Sequence, residues 1–168
     1  MILLRQLLEG SFLIALTVTI HAVGAVGLLW SLGKYRPVWL RHSGLIFAVL
    51  SLSGIISYLV LLHLTEIAMW AFYYHWKGLL PDFESAAYYS LATYTTVGYG
   101  DVVLPREWRL EGTSEALVGI LMTAWSTALL IGVVNKFHAK VMEHWDPIRD
   151  ESAQQGQADR SEGGEGHE

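Results

Sequence analysis

The chain has 168 residues, 52% of them hydrophobic and only 16% charged, against about 25% charged in soluble domains, which excludes an ordinary soluble enzyme. The net charge of −5 belongs to the end of the chain: from Asp146 onward there are seven acids and two arginines, whereas residues 1–145 carry nine acids and nine bases. No basic patch for nucleic acid exists, and cysteine is absent, which removes disulfides, thiolate metal sites and cysteine nucleophiles.

Residues 10–33 are free of Asp, Glu, Lys and Arg. A membrane-spanning helix needs about 20 mainly apolar residues, so this stretch is the first predicted span. Ala22-Val23-Gly24-Ala25 gives it a faint signal-peptide look, but cleavage there would leave the following basic link on the wrong side. The span is therefore expected to be retained. His21 lies in its middle and is read as a neutral imidazole bonded to Thr17 or to another helix. The link holds Lys34, Arg36 and Arg41 with no acid, and the excess of basic residues places it in the cytoplasm.

The second uncharged stretch, residues 42–65, returns outward. Counted from Gly44 at ~1.5 Å per residue, Glu66 falls near the outer edge of the hydrocarbon. Trp70, Phe72, Tyr73, Tyr74 and Trp76 follow as an interfacial belt. His63 and Glu66 stand three apart on one helix, the spacing of half a metal site or of a proton sensor. With no second ligand pair in view, they read as a hydrogen-bonded interfacial pair.

Residues 85–100 also lack formal charge but are too short and too polar for a span. Such a stretch reads as a re-entrant segment, which lipid tolerates only where protein or a water-filled cavity covers its backbone. Pro81 precedes Asp82, a candidate N-cap, with Glu84 in the first turn. A helix is expected from there to about Tyr94.

Next comes Thr95-Thr96-Val97-Gly98-Tyr99-Gly100-Asp101. A dehydrated monovalent cation needs its water oxygens replaced by protein oxygens. Successive carbonyls pointing to one side supply them, and four chains around an axis make rings of such oxygens. The backbone must then alternate, and some residues need φ > 0, which glycine accepts at little cost. Gly98 and Gly100 stand at alternate positions. Thr96 adds a hydroxyl at the inner end, Val97 and Tyr99 are expected to pack behind the loop, and Asp101 sits just outside it.

The third span is expected over residues 116–135, capped by Thr113 or Ser114 with Glu115 in its first turn. Gly119 and Gly132 mark a flexible point or a close helix contact. Lys136 and Lys140 beyond it point to the cytoplasm. The polar, acidic stretch that follows cannot bury a core and is expected to be disordered.

The heptad resembles the potassium-channel selectivity filter, and residues 44–137 resemble the pore domain of small bacterial potassium channels with one pore loop per chain. The resemblance implies an all-α membrane protein: three transmembrane helices plus a re-entrant pore helix and selectivity-filter loop, assembling as a tetrameric channel. It implies carbonyl ligands for K+ from Thr96, Val97, Gly98 and Tyr99, with the Thr96 hydroxyl added. Tyr88 and Tyr89 take the places of filter-supporting aromatics. Ala92 stands where some relatives carry a filter-supporting Glu. Thr123, Thr127 and Ile131 become candidates for the cavity lining. The domains are then 1–43 (first span and basic link), 44–140 (pore domain) and 141–168 (tail).

The expected function is a potassium-selective channel subunit, not an enzyme and without a cofactor, K+ being the transported ion. Its partners are copies of itself in a homotetramer, membrane lipid and K+, with no nucleic acid. It is expected in the plasma (inner) membrane with its N-terminus outside and its C-terminus cytoplasmic. The rival readings are a weakly selective cation channel and a non-conducting subunit that modifies another channel or transporter. Arg36 and Arg41 do not form a voltage sensor, since no span carries Arg at every third position.

Overall fold

The structure is a computed structural model that describes residues 2–34 and 45–162. Most of the predicted basic link, Arg36 and Arg41 included, and residues 163–168 lie outside the described residues. The described residues form helices α1 (Ile2–Lys34), α2 (Leu45–Trp76), α3 (Phe83–Tyr94) and α4 (Arg109–Glu162), with a 3₁₀ turn at Arg106–Trp108, and contain no strand. Three stretches are long and apolar enough to cross a membrane: Leu4–Lys34, Ile46–Trp76 and Arg106–Lys136. Their outward faces carry Val23, Val26, Ile46, Leu50, Leu61 and Leu117 in the open, a surface that lipid or further subunits must cover.

The chain divides into two compact units, Met1–Ala128 and Leu129–Glu168. The second is helical as far as Glu162, where disorder is expected from residue 141. Ala153, Gln154, Gln155 and Gln157 are good or fair helix formers, a local preference that low hydrophobicity alone does not reveal.

In the first unit the core lies where α1, α2, α3 and the start of α4 meet. Leu13, Ile67, Trp70, Tyr74, Leu80, Ala86, Tyr94, Leu104, Val118 and Met122 are buried together. The aromatic cluster predicted as an interfacial belt is thus largely core. Only Phe72 and Trp76 of it stay exposed, and α2 continues through it without a break. The helix phase explains this: Trp70, Tyr73 and Tyr74 are three and four apart and share one face.

Helices α1 and α2 are held together at several levels. The Glu9 carboxylate accepts from Lys77 Nζ at 2.9 Å, from Tyr73 Oη at 2.7 Å and from Arg5 Nε at 2.9 Å. Further along, the Tyr58 hydroxyl donates to the Gly24 carbonyl at 3.0 Å. A Cβ at Gly24 would lie 2.6 Å from Leu62 Cδ1, so a larger residue here would have to push the Leu62 side chain aside. Trp70 Nε1 donates to Thr17 Oγ1 at 2.9 Å in the buried interface.

Helix α3 begins as predicted: Asp82 is extended, and Oδ1 accepts from the Ser85 amide at 2.7 Å. That bond holds the Asp82 carboxyl below its ordinary range. A lowered pKa means the cap is in place at neutral pH and fails only as pH falls through that lowered value. We expect Asp82→Ala to fray the first turn of α3, read as faster amide hydrogen exchange at Ser85 and Ala86. The start of α4 differs from expectation. Thr113 and Ser114 do not cap it; both hydroxyls donate back to the Leu110 carbonyl, at 2.8 and 2.9 Å, from within the helix. The 3₁₀ turn begins after Pro105, whose ring rules out an earlier helical hydrogen bond.

Candidate functional site: the 95–101 loop and its supports

The loop grows out of the C-terminal end of α3. Thr95 caps that end, its amide donating to the Leu91 carbonyl at 3.1 Å, and the Thr96 amide donates to the Thr93 carbonyl at 2.9 Å. The backbone then alternates. Thr96, Gly98 and Gly100 have φ of 61°, 51° and 79°, every second residue in the left-handed region. The positions of the two glycines follow from their tolerance of that region. Thr96 is the departure: a β-branched residue in this region is strained, and sequence reasoning gave it a hydroxyl role without this conformation.

A backbone hydrogen bond from the middle of the loop also ties it to its helix. The Gly98 amide donates to the Ala92 carbonyl at 3.0 Å. Ala92 thus holds the loop through its backbone.

At the far end the Tyr88 hydroxyl donates to Asp101 Oδ2 at 2.7 Å. This bond holds the Asp101 carboxyl below its ordinary range and raises the Tyr88 phenol. Tyr89 turns the other way, edge-on to Tyr74 with ring centroids 5.4 Å apart. Its hydroxyl occupies the space over Gly112, where a Cβ would lie 2.1 Å from the oxygen. The two tyrosines therefore brace different things: Tyr88 the loop, Tyr89 the junction of α2, α3 and α4. Val97 and Tyr99, expected to pack behind the loop, are 52% and 74% exposed within the single chain.

Two buried carboxylates lie behind α3. Glu115, expected as a first-turn charge of the third span, is fully buried and accepts from Tyr74 Oη at 2.8 Å and from Ser90 Oγ at 2.5 Å. Glu66, expected at the membrane's outer edge beside His63, is also fully buried. It accepts from the Tyr94 hydroxyl and faces His21 Nδ1 at 2.9 Å. His21 therefore bonds across to another helix, and Thr17 serves Trp70 instead. Sequence reasoning missed both assemblies. The available signal was two acids within helical reach of membrane-length stretches, both taken as end markers.

Of the candidate lining residues, Thr123 and Thr127 are exposed on α4, with the Thr127 hydroxyl donating to the Thr123 carbonyl at 2.9 Å. Ile131 is 55% exposed. Gly119 is a close contact: a Cβ there would lie 2.3 Å from the Tyr94 carbonyl oxygen, whereas one at Gly132 would meet nothing within 4 Å.

No match appears among curated proteins or solved structures. Residues 60–136, from the second half of α2 through α3 and the loop into α4, match the family model described as ion channel, and the three membrane-length helices suit a multi-pass membrane protein.

Proposed function

We propose that this protein is a potassium-selective channel subunit that works as a homotetramer, with residues 95–101 as its filter. The observation that carries the reading is the alternation of left-handed backbone at Thr96, Gly98 and Gly100. Such alternation turns successive carbonyls to one side, which regular helix or strand cannot do. Thr96, Val97, Gly98 and Tyr99 would supply carbonyl oxygens to K+, and Thr96 its hydroxyl. Four copies close the rings, and transit is fast because several weak sites in series let ions displace one another. Exposed Val97 and Tyr99 fit this assembly, since a neighbouring subunit would cover them.

In this reading α3 is the re-entrant pore helix, and its carbonyl end faces the cavity, where a partial negative charge suits a cation. Helices α2 and α4 are the outer and inner helices, with Thr123, Thr127 and Ile131 toward the cavity. The N-terminus lies outside the plasma membrane and the C-terminus in the cytoplasm, as the basic link requires.

The test is reconstitution. Native mass measurement of the purified protein should give a tetramer, and proteoliposomes loaded with K+ should release it down its gradient. A tetramer that releases K+ and Na+ alike would replace this reading with a weakly selective cation channel. A tetramer that releases neither would favour a modifying subunit.

Asp101 supplies a second check. It stays ionised into the acid range because Tyr88 donates to it. Tyr88→Phe removes that donor, so its pKa rises toward the ordinary carboxylate value. Acid loss of current should then set in at a higher pH than in the parent protein, measured by titrating current against pH on the Asp101 side.

A further inference from the structure

We propose that His21, His63 and Glu66 form a binding site for one divalent transition-metal ion per subunit, zinc by its donor set. The site joins α1 to the pore segment from behind. Two imidazoles and one carboxylate offer ligand atoms that all lie within 4.8 Å of one another. Tetrahedral zinc with bonds of ~2.0–2.1 Å needs donors ~3.3 Å apart. The two nitrogen–oxygen distances, each to its own carboxylate oxygen, lie on either side of that value: His21 Nδ1 to Glu66 Oε1 is 2.9 Å, and His63 Nδ1 to Glu66 Oε2 is 3.6 Å. Glu66 and His21 are fully buried, and the His63 side chain, 18% exposed, gives the ion its way in.

Counting hydrogens supports a cation here. Tyr94 donates its only hydroxyl hydrogen to Glu66 Oε2. The phenol oxygen is then the acceptor for His63 Nδ1, 2.9 Å away, and Glu66 Oε1 the acceptor for His21 Nδ1. Two neutral rings with hydrogens on Nδ1 leave both Nε2 atoms as bare acceptors. Both face the one hydroxyl of Ser126, at 3.1 Å from His63 and 3.3 Å from His21. That hydroxyl has one hydrogen, so the network is one hydrogen short.

A metal ion held on the two Nδ1 atoms and the carboxylate resolves the shortage, as one proton added to either ring also would, and the Co2+ titration below separates the two. With the metal bound, each ring carries its hydrogen on Nε2, and Ser126 Oγ accepts both with its two lone pairs. This is the outer-shell bond that orients a ligating histidine. The sequence showed only half of the site, His63 and Glu66; His21 is brought to it by the packing of α1 on α2.

The proposal does not depend on conduction, because binding is read without current. Co2+ is titrated into the purified full-length tetramer as a spectroscopic stand-in, followed by competition with Zn2+. The expected result is a saturable visible absorption band of four- or five-coordinate Co2+, one ion per subunit, displaced by Zn2+ and not by Mg2+. His63→Asn, at the least buried ligand, should weaken Co2+ binding at least tenfold. Ser126→Ala, at the outer shell, should weaken it about 10- to 100-fold. Each variant is first checked for the native tetramer mass, and His21→Gln serves if His63→Asn does not assemble. Absence of a saturable band in the parent tetramer would overturn the proposal. So would a band that survives unchanged in the assembled ligand variant.

Discussion

Gly98→Ala is expected to abolish K+ current while the tetramer still assembles. Gly98 has φ of 51°, and a Cβ there would meet nothing within 4 Å in its own subunit. The damage is therefore conformational rather than a clash. An L-residue in this region costs ~1–2 kcal/mol, and four equivalent positions raise that to roughly 4–8 kcal/mol for the assembled ring. The cheapest relief is to turn the peptide over. That removes the carbonyl from the ion path and breaks the bond from the Gly98 amide to the Ala92 carbonyl. The helices pack through other residues, so native mass should be unchanged. Planar-bilayer current and native mass, measured on the same preparation, check both halves. A conducting, K+-selective Gly98→Ala protein would remove the loop from the filter role.

Gly119→Ala should act by contact instead. Its Cβ would lie 2.3 Å from the Tyr94 carbonyl oxygen and 3.1 Å from the carbonyl carbon. Both are backbone atoms, so no side chain can swing away. Helix α4 or the end of α3 must move, and Tyr94 is the residue directly before the 95–101 loop. Overpacking of this kind costs ~1–3 kcal/mol per site. We expect a lower midpoint of thermal dissociation of the tetramer, together with altered current. Gly132→Ala is the matched control: its Cβ meets nothing within 4 Å, so the midpoint should hold or rise slightly, alanine being the better helix former by about 0.5–1 kcal/mol. Equal losses in the two variants would show that the Tyr94 contact is not what matters.

The parts of this molecule that were legible in the sequence are those set by local chemistry. Membrane-length apolar runs exposed the long helices, because apolar length is all that lipid asks. Asp82 announced the start of α3, because a cap is decided within a few residues. Gly98 and Gly100 announced the alternating loop for the same reason. Thr96 gave no such sign, since nothing in a threonine signals φ > 0.

What was not legible depends on which helix faces meet. Treating charge as the end of a span left Glu66 and Glu115 without partners from other helices. The structure buries both behind α3, because Tyr94, Tyr74, Ser90 and His21 arrive from other elements to satisfy them. No spacing along the chain reveals that His21 stands beside Glu66, 45 residues away. The aromatic belt failed likewise, since Trp, Tyr and Phe serve an interface and a core equally well. Thr113 and Ser114 are good capping residues in the wrong place: Pro105 and the 3₁₀ turn had already started the helix.

As a ring of four, the 95–101 loop is proposed to pass K+ and reject Na+. The most direct measurement is the reversal potential of the purified protein in a planar bilayer, with K+ on one side and Na+ on the other. The expected reversal lies close to the K+ equilibrium potential and is lost with the current in Gly98→Ala. A robust current reversing near zero would contradict it.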